Sequence, residues 1–185
     1  EYAVGVFFIK KNDGSKDKVL KKIEDVCSTE NIPFLGWRKC PTYEDELGWS
    51  VKPTTPFVYH MFVAKPDDIS DQDDFERKIY VLRQCIDKEI MFLGDNYYEQ
   101  FYIPSFSSRT ILYKGMVLSD QVGTVGNKLG FFEDLSDHSI VSSFALIHQR
   151  FSTNTFPTWS LAQPFRMLCH NGEINTLRGN INWMN

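Results

Sequence analysis

The sequence lacks an excess of positive charge and lacks any long apolar run. Its formal net charge is −4, which gives no electrostatic reason to expect nucleic acid or an anionic membrane as a partner. No stretch approaches the roughly 20 apolar residues that a membrane-spanning helix needs. No secretory or transit segment opens the chain. We therefore expect no nucleic-acid partner and no membrane partner.

Several motifs that carry common chemistries are also missing. The chain has no Gly-rich phosphate loop and no GxSxG elbow, and its four histidines lack metal-ligand spacing, so a metal site is not expected. Its four cysteines show no CxxC pattern, and no Asn-x-Ser/Thr glycosylation acceptor occurs. Free thiols in a reducing compartment are the default interpretation, and they indicate an intracellular protein.

The composition is that of a folded protein. Hydrophobic residues make up 42% of the 185 positions and aromatic residues 15%, which suits one domain with a proper core or a large piece of a bigger one. The chain begins at Glu1 with a strand pattern immediately after it, and a helical pattern runs to Asn185 without a stop signal. We interpret the chain as an internal piece of a longer protein.

The hydrophobic patterns predict both strands and helices. Apolar runs predict strands at 2–9 and 57–64 and a short one within 31–41, and one-sided patterns predict helices at 16–28 and within 68–93. Further along, the patterns predict strands near 98–104 and 109–114, a short linking helix, a long strand over 139–153, and a closing strand and helix. Because the two types do not alternate one for one, we expect a layered α+β or α/β/α structure rather than a doubly wound sheet.

Two clusters near the end of the chain are candidates for chemistry. "HQRFSTNTFPTW" places Arg150 after an apolar run, and arginine offers a planar fork suited to a carboxylate; a surface arginine paired with a nearby acid is the alternative. "HNG" offers the side-chain amide of Asn171 and the backbone N–H of Gly172, a donor pair able to bind a developing oxyanion. A turn that only caps the next helix is the alternative there.

The stretch "HQRFSTNTFPTWSLAQPFRMLCHNGEINTLRGNINWMN" closely resembles the glutamine amidotransferase domain of the glutamate synthase large chain, a class II, N-terminal-nucleophile amidotransferase. The resemblance extends through "FYIPSFSSRTILYKGM", "FERKIYVLRQ", "GWRKCP" and "YAVGVFF" and is weakest at 40–56 and 120–138. The HNG element is shared by class II amidotransferases, whereas the longer motif is specific to glutamate synthases.

The resemblance implies roles for particular residues. Asn171 and Gly172 would form the oxyanion hole for the glutamine γ-carboxamide, and Arg150 would bind the glutamine α-carboxylate. Three more residues would line the substrate pocket: Phe151, Thr153 and Asn154. The family's nucleophile is a cysteine at the mature N-terminus, activated by its own α-amino group, and Glu1 does not match it. The aspartate that binds the substrate's amino group lies beyond Asn185. We therefore expect this piece alone to be inactive.

The resemblance also implies a fold and a parent enzyme. The fold would be α+β, a four-layer αββα sandwich of the N-terminal-nucleophile hydrolase type, of which residues 1–185 would be an incomplete fragment.

The parent would hydrolyse glutamine to glutamate and ammonia, and a synthase domain of the same chain would use the ammonia to aminate 2-oxoglutarate reductively. FMN, an iron–sulfur cluster and NAD(P)H or ferredoxin would serve the parent, with an electron-donating subunit or domain as a possible partner, and no cofactor is expected in this fragment. The compartment would be the cytoplasm or a plastid.

Two other hypotheses are open at this stage. One is that the chain belongs to another class II amidotransferase, such as one that transfers ammonia to a sugar phosphate or a phosphoribosyl group, but "GNINWM" and "SSRTILYKGM" argue against it. A degenerate domain of the same fold would bind an amino acid or a partner without catalysis. The presence of Arg150, Asn171 and Gly172 argues against that decay, because a binding module has no need for oxyanion donors.

Overall fold

The computed structural model describes residues 1–11, 14, 16–94, 101–151, 156–165 and 177–184, the side chains of 177–180 excepted. The described ranges contain these strands and α-helices: β1 (Tyr2–Ile9), α1 (Lys16–Thr29), β2 (Phe34–Lys39), β3 (Phe57–Ala64), α2 (Gln72–Met91), β4 (Phe101–Ser107) and α3 (Leu177–Met184). Short 3₁₀ helices lie at Lys52–Thr54, Ser119–Gln121 and Glu133–Ser136. None of the helices in these ranges is long and apolar enough to cross a bilayer.

The strands form one antiparallel sheet in the order β2-β3-β1-β4. β1 and β3 pair along their full length, from Tyr2 opposite Ala64 to Ile9 opposite Phe57. These two central strands bury residues on both faces, as their continuous apolar runs predicted. The strand predictions for 2–9, 31–41 and 57–64 are confirmed.

The helices α1 and α2 cover one face of the sheet. α2 begins after Asp71, whose carboxylate accepts a hydrogen bond from the backbone N–H of Asp73 at 2.8 Å. Its buried residues recur every three or four positions and pack against Phe7 and Met61 of the sheet; they are Phe75, Ile79, Leu82, Ile86 and Ile90. Burying a side chain of this size contributes about 1.5–3 kcal/mol, so the apolar stripe holds the helix to the sheet.

Irregular segments cover the opposite face of the sheet. There Val6 and Phe8 of β1 and Val58 of β3 belong to a second core, which also contains Cys40, Leu47, Phe131, Phe132 and Trp159. The described residues therefore combine helices on one face of an antiparallel sheet with long loops on the other. This is an α+β arrangement, as the sequence predicted.

The predicted strand at 109–114 does not form. The hydroxyl of Ser105 in β4 accepts the backbone N–H of Leu112 at 3.1 Å, and that of Ser107 accepts the N–H groups of Arg109 and Thr110 at 3.0 and 3.3 Å. Serine hydroxyls thus accept the backbone N–H groups that residues of a second strand would have donated to the carbonyl groups of a neighbouring strand. The serines that suggested a turn between two strands also end the pairing.

The predicted long strand is wrong over its described part, residues 139–151, which has no regular secondary structure. Its apolar side chains are largely exposed: Val141 is 91%, Phe144 73% and Ile147 80% accessible. A strand needs a neighbour to pair its backbone groups, and no described strand pairs with this segment. Periodicity indicated the strand, but it does not show whether a partner is present.

Candidate functional site

Arg150 and Phe151 are the two predicted pocket residues that lie within the described ranges. Arg150 is exposed, and its backbone N–H donates to Nδ1 of His148 at 3.1 Å. No carboxylate among the described residues forms an ion pair with its guanidinium, so the alternative of a paired surface arginine is not found there. Phe151 is half-buried beside it. Within the described ranges, the exposure of Arg150 is compatible with its predicted role in binding a carboxylate.

Four other predicted site residues lie outside the described residues: Thr153, Asn154, Asn171 and Gly172. The structure therefore does not test whether the oxyanion donors meet Arg150. It does describe residues 156–165, which join the two motifs in sequence. Residues 156–165 are called the joining segment below, and they pack on the sheet.

Trp159 holds the joining segment against the loop-covered face of the sheet. Its side chain is only 7% exposed, and Nε1 donates to the hydroxyl of Thr54 at 3.1 Å. The indole ring meets Phe8 of β1 edge-on at 6.1 Å between centroids and lies 5.3 Å from the ring of Phe131. The ring also lies directly on Gly115, where an added Cβ would overlap it. The position of the indole thus depends on a glycine beneath it.

Lys114, the residue before this glycine, is a buried charge that contacts the same segment. Its side chain is 3% exposed, and Nζ donates to the carbonyl oxygen of Ser160 at 2.7 Å and to the hydroxyl of Tyr102 at 3.2 Å. The ammonium lies 4.7 Å from the ring centroid of Tyr102 and 4.6 Å from that of Phe165. Burial, with a smaller effect of the Arg83 charge, lowers the pKa of Lys114 to about 7. These contacts offset part of the cost of burying the charge.

Sequence reasoning missed Lys114 and Trp159 as candidate positioning residues. The signal for Lys114 was a single charge after the apolar run Ile111-Leu112-Tyr113, because a lone charge next to residues that become buried needs a partner. The signal for Trp159 was weaker, since a tryptophan in a proline-containing loop is equally compatible with exposure. Neither signal identifies the residue that is contacted. Ser160 lies 46 positions from Lys114 along the chain, and Thr54 lies 105 positions from Trp159.

A second group of polar side chains, the Arg38 cluster, lies on the same face of the sheet and consists of Arg38, Cys40, His60, Tyr113 and Asp134. Asp134 accepts two hydrogen bonds from Arg38, at 2.8 and 2.6 Å, one from Tyr113 at 3.1 Å and one from the Cys40 thiol at 3.5 Å. Nδ1 of His60 lies 3.2 Å from Nη1 of Arg38. Because arginine only donates, His60 accepts there and carries its proton on Nε2.

The environment shifts the pKa values of these groups. Hydrogen bonding to Arg38 lowers the pKa of the Asp134 carboxyl below its ordinary value. Burial lowers the pKa of His60 to about 4, and burial together with Asp134 raises that of Cys40 to about 12. The cluster at neutral pH is therefore an Arg38–Asp134 ion pair surrounded by a neutral imidazole, a thiol and a phenol.

Cys40, His60 and Asp134 also form a candidate metal-ligand set, since their ligand atoms all lie within 4.8 Å of one another. Because these three residues lie far apart in sequence, the short spacing patterns of metal-binding motifs do not reveal them. Arg38 already provides the positive charge, and it contacts both the carboxylate and Nδ1 of His60. A divalent cation at this position would face a guanidinium within hydrogen-bonding distance of its ligands. The chemistry of the donors therefore favours a structural ion pair over a metal centre.

The whole chain, residues 1–185, matches the family described as class-II glutamine amidotransferases. It is similar to the "Glutamate synthase [NADPH] large chain" of Bacillus subtilis (strain 168), with 44% identity over 183 residues, or 99% of this chain. It is also similar to "Ferredoxin-dependent glutamate synthase 2" of Synechocystis sp., with 41% identity over 98% of this chain. A third relative, from Azospirillum brasilense, is 46% identical over 86% of this chain.

The chain is short beside these relatives. It spans 11% of the length of the Bacillus and Synechocystis proteins and 10% of that of the Azospirillum protein. The similarity therefore concerns one part of each relative.

Proposed function

Because the chain belongs to the class-II glutamine amidotransferase family, we propose that it forms part of the glutaminase domain of a glutamate synthase. The substrate would be glutamine, and the products glutamate and ammonia. The observation that carries this proposal is the 44% identity over 99% of the chain to a glutamate synthase large chain. The exposed fork of Arg150, without a carboxylate partner among the described residues, supports it.

In the proposed reaction Arg150 binds the α-carboxylate of glutamine through charge-assisted hydrogen bonds. Phe151, Thr153 and Asn154 line the pocket. A thiolate outside this chain attacks the γ-carboxamide carbon, and the carbonyl oxygen becomes an oxyanion. The amide of Asn171 and the N–H of Gly172 donate to it. The leaving nitrogen takes up the proton that the α-amino group of the cysteine had accepted from the thiol, the C–N bond breaks and ammonia leaves. Water then hydrolyses the thioester, which releases glutamate and regenerates the thiol.

We further propose that residues 1–185 are part of a larger amidotransferase domain. Its nucleophile segment would lie upstream and the residue that binds the substrate's amino group downstream. The complete domain would be a four-layer αββα sandwich. The strands that bury both faces support this proposal, because a second layer on the loop-covered face would enclose it.

The parent protein would pass ammonia to a synthase domain of the same chain for reductive amination of 2-oxoglutarate. FMN and an iron–sulfur cluster would act in that domain, and no residue of this chain is assigned to them. The names of the relatives include both NADPH-dependent and ferredoxin-dependent enzymes, so an electron-donating subunit or domain of either kind is compatible. Relatives from plants are described as chloroplastic, which supports a plastid as the compartment, and the cytoplasm is the alternative.

The direct test is an assay of glutamine hydrolysis by the full-length protein. Without 2-oxoglutarate in the assay, so that no ammonia is consumed, we expect glutamate and ammonia in equal amounts. We expect no hydrolysis by the 185-residue chain, which has no cysteine in the nucleophile position. A full-length protein that binds glutamine without hydrolysing it would support the alternative of a degenerate binding domain. Ammonia release by the isolated chain would contradict the assignment of the nucleophile.

A further inference from the structure

We propose that Lys114 is a positioning residue for glutamine hydrolysis, because its ammonium fixes the joining segment from which the chain continues to Asn171 and Gly172. This inference rests on the proposed function and adds a residue that lies outside the two site motifs. Lys114 would not touch the substrate. It would act through Ser160 and Phe165, which belong to the joining segment.

The position of the joining segment in sequence gives the first step of the argument. Arg150 precedes residues 156–165, and the proposed oxyanion donors follow them. Only residues 166–170 separate the described end of this segment from Asn171 in sequence, and the proposal therefore takes the position of the segment on the sheet as one determinant of the donor geometry. Misplacing a catalytic group by about 1 Å can reduce turnover by about 10²-fold.

The chemistry of the contact gives the second step. A buried ammonium is costly unless it is paired, and two of the partners of Lys114, the Ser160 carbonyl at 2.7 Å and the Phe165 ring at 4.6 Å, are supplied by the joining segment itself. The third partner, Tyr102, belongs to β4. If the segment moved away, the ammonium would lose these two partners. The charge thus favours one position of the segment on the sheet.

Gly115 supplies an independent contact to the same segment. The indole of Trp159 lies on it without room for a Cβ, and the indole Nε1 donates to Thr54 at 3.1 Å. Two consecutive residues, one charged and one without a side chain, therefore hold two consecutive residues of the joining segment. A substitution at Gly115 displaces Trp159 without changing the charge of Lys114.

The charged and titratable groups that face Lys114 among the described residues are Tyr102 on β4 and Arg83 on α2. Nη2 of Arg83 donates to the carbonyl of Ile103 at 2.9 Å, and Asp87 lies 4.0 Å from its Nε. No carboxylate pairs with Lys114 directly among these groups. Loss of its proton would remove its attraction to the faces of Tyr102 and Phe165.

The test compares variants of the full-length protein by the kcat and the KM of glutamine hydrolysis. Lys114→Met and Gly115→Ala are each expected to lower kcat about 10–100-fold and to change the KM for glutamine less than about threefold. Val19→Ala is the matched control for a destabilised domain, because Val19 is 2% exposed in the core under the helices. It should lower the melting temperature and leave kcat unchanged.

The pH profile separates positioning from general destabilisation. In the wild type, kcat should decrease as the pH rises above about 7, where Lys114 loses its proton. Lys114→Arg keeps the charge at every working pH, so it should restore most of the kcat and lack this decrease.

A wild-type kcat in Lys114→Met, in a protein that hydrolyses glutamine, would overturn this inference and leave the proposed function intact. Losses no larger than those of Val19→Ala at matched stability would overturn it as well. If Lys114→Met does not fold, Lys114→Arg decides: a decrease of kcat above pH 7 that is the same in this variant and in the wild type would overturn the inference. Absence of hydrolysis in the wild type would overturn the proposed function and this inference together.

Discussion

The guanidinium of Arg38 binds the carboxylate of Asp134 through two hydrogen bonds, at 2.8 and 2.6 Å, across 96 positions of the sequence. The pair ties β2 at the edge of the sheet to the 3₁₀ helix Glu133–Ser136 in the opposite loop layer. The Asp134 side chain is 10% exposed and that of Arg38 is 45% exposed. The carboxylate is therefore the partner that depends on the contact.

Arg38→Met should destabilise the chain by about 2 kcal/mol, because Asp134 keeps its charge in a site that excludes most water. The loss should be smaller than for a fully buried pair, since half of Arg38 is already hydrated. Urea unfolding followed by circular dichroism measures it. Arg77→Met is the matched control, because Arg77 pairs with Asp74 on the exposed surface of α2 and its loss should cost clearly less stability. Equal losses in the two variants would contradict the role of the pair.

His60 should make stability fall as the medium becomes acidic. Its pKa is lowered from 6.5 to about 4 in the folded chain, mainly by burial, so below pH 6.5 the unfolded chain binds a proton that the folded chain does not. Stability from this source is complete above pH 6.5 and decreases toward pH 4, by at most about 3 kcal/mol. His60→Gln should remove that part of the pH dependence in unfolding experiments. His138→Gln, at an exposed position, should keep it; the same slope in both variants would refute the assignment.

Gly5 should be required for the packing of β1. A Cβ at this position would overlap the ring of Phe7 and approach that of Phe106 to 3.2 Å, and both rings are buried in the core under the helices. Gly5→Ala should therefore cost about 1–3 kcal/mol by overpacking. Gly48→Ala is the control, since no atom lies within 4 Å of its added Cβ. Thermal unfolding compares the two, and a melting temperature unchanged by Gly5→Ala would show that the rings can shift without cost.

The two proposed halves of the glutamine site should differ in their kinetic effects. In the full-length protein Arg150→Ala should raise the KM for glutamine about 10–100-fold, because the carboxylate loses its charge-assisted hydrogen bonds. Asn171→Ala should instead lower kcat about 10²–10³-fold, as loss of one oxyanion donor does. Initial rates of glutamate release measure both.

Exposed residues of the same types provide the controls for these two variants. Arg77→Ala on α2 and Asn127→Ala in the turn between Val125 and Lys128 should leave both constants unchanged. If Asn171→Ala had the kcat of the wild type, the oxyanion role would be wrong. An unchanged KM in Arg150→Ala would separately contradict the role of Arg150 in binding the carboxylate.

The elements that were predicted correctly are those whose own residues carry a clear hydrophobic pattern for a helix or a strand. The stripe from Phe75 to Ile90 has the period of a helix, and the runs at 2–9 and 57–64 are apolar on both faces. The segment 139–151 has an equally apolar pattern, but strand formation requires a partner that its own residues do not specify.

The contacts of the loop-covered face depend on distant residues, and local patterns did not predict them. Nothing near Arg38 in sequence indicates Asp134, and nothing near Lys114 indicates Ser160. For the candidate site, the sequence predicted that Arg150 binds a carboxylate, and the structure shows only that this residue is exposed. The oxyanion assignment of Asn171 and Gly172 stays a prediction, because both lie outside the described residues.

The two faces of the sheet also imply an order of assembly. Hydrogen bonds on the loop-covered face join residues that are 75, 96 and 105 positions apart, namely Gln121 with Glu46, Arg38 with Asp134, and Trp159 with Thr54. Closing such long loops costs conformational entropy before any contact is gained, and contacts of high sequence separation form slowly. The pairing of β1 with β3 joins residues only 48 to 62 positions apart, so it should precede these contacts during folding. The loop-covered face, with the joining segment, would then be the last region to become protected from hydrogen exchange and the first to open.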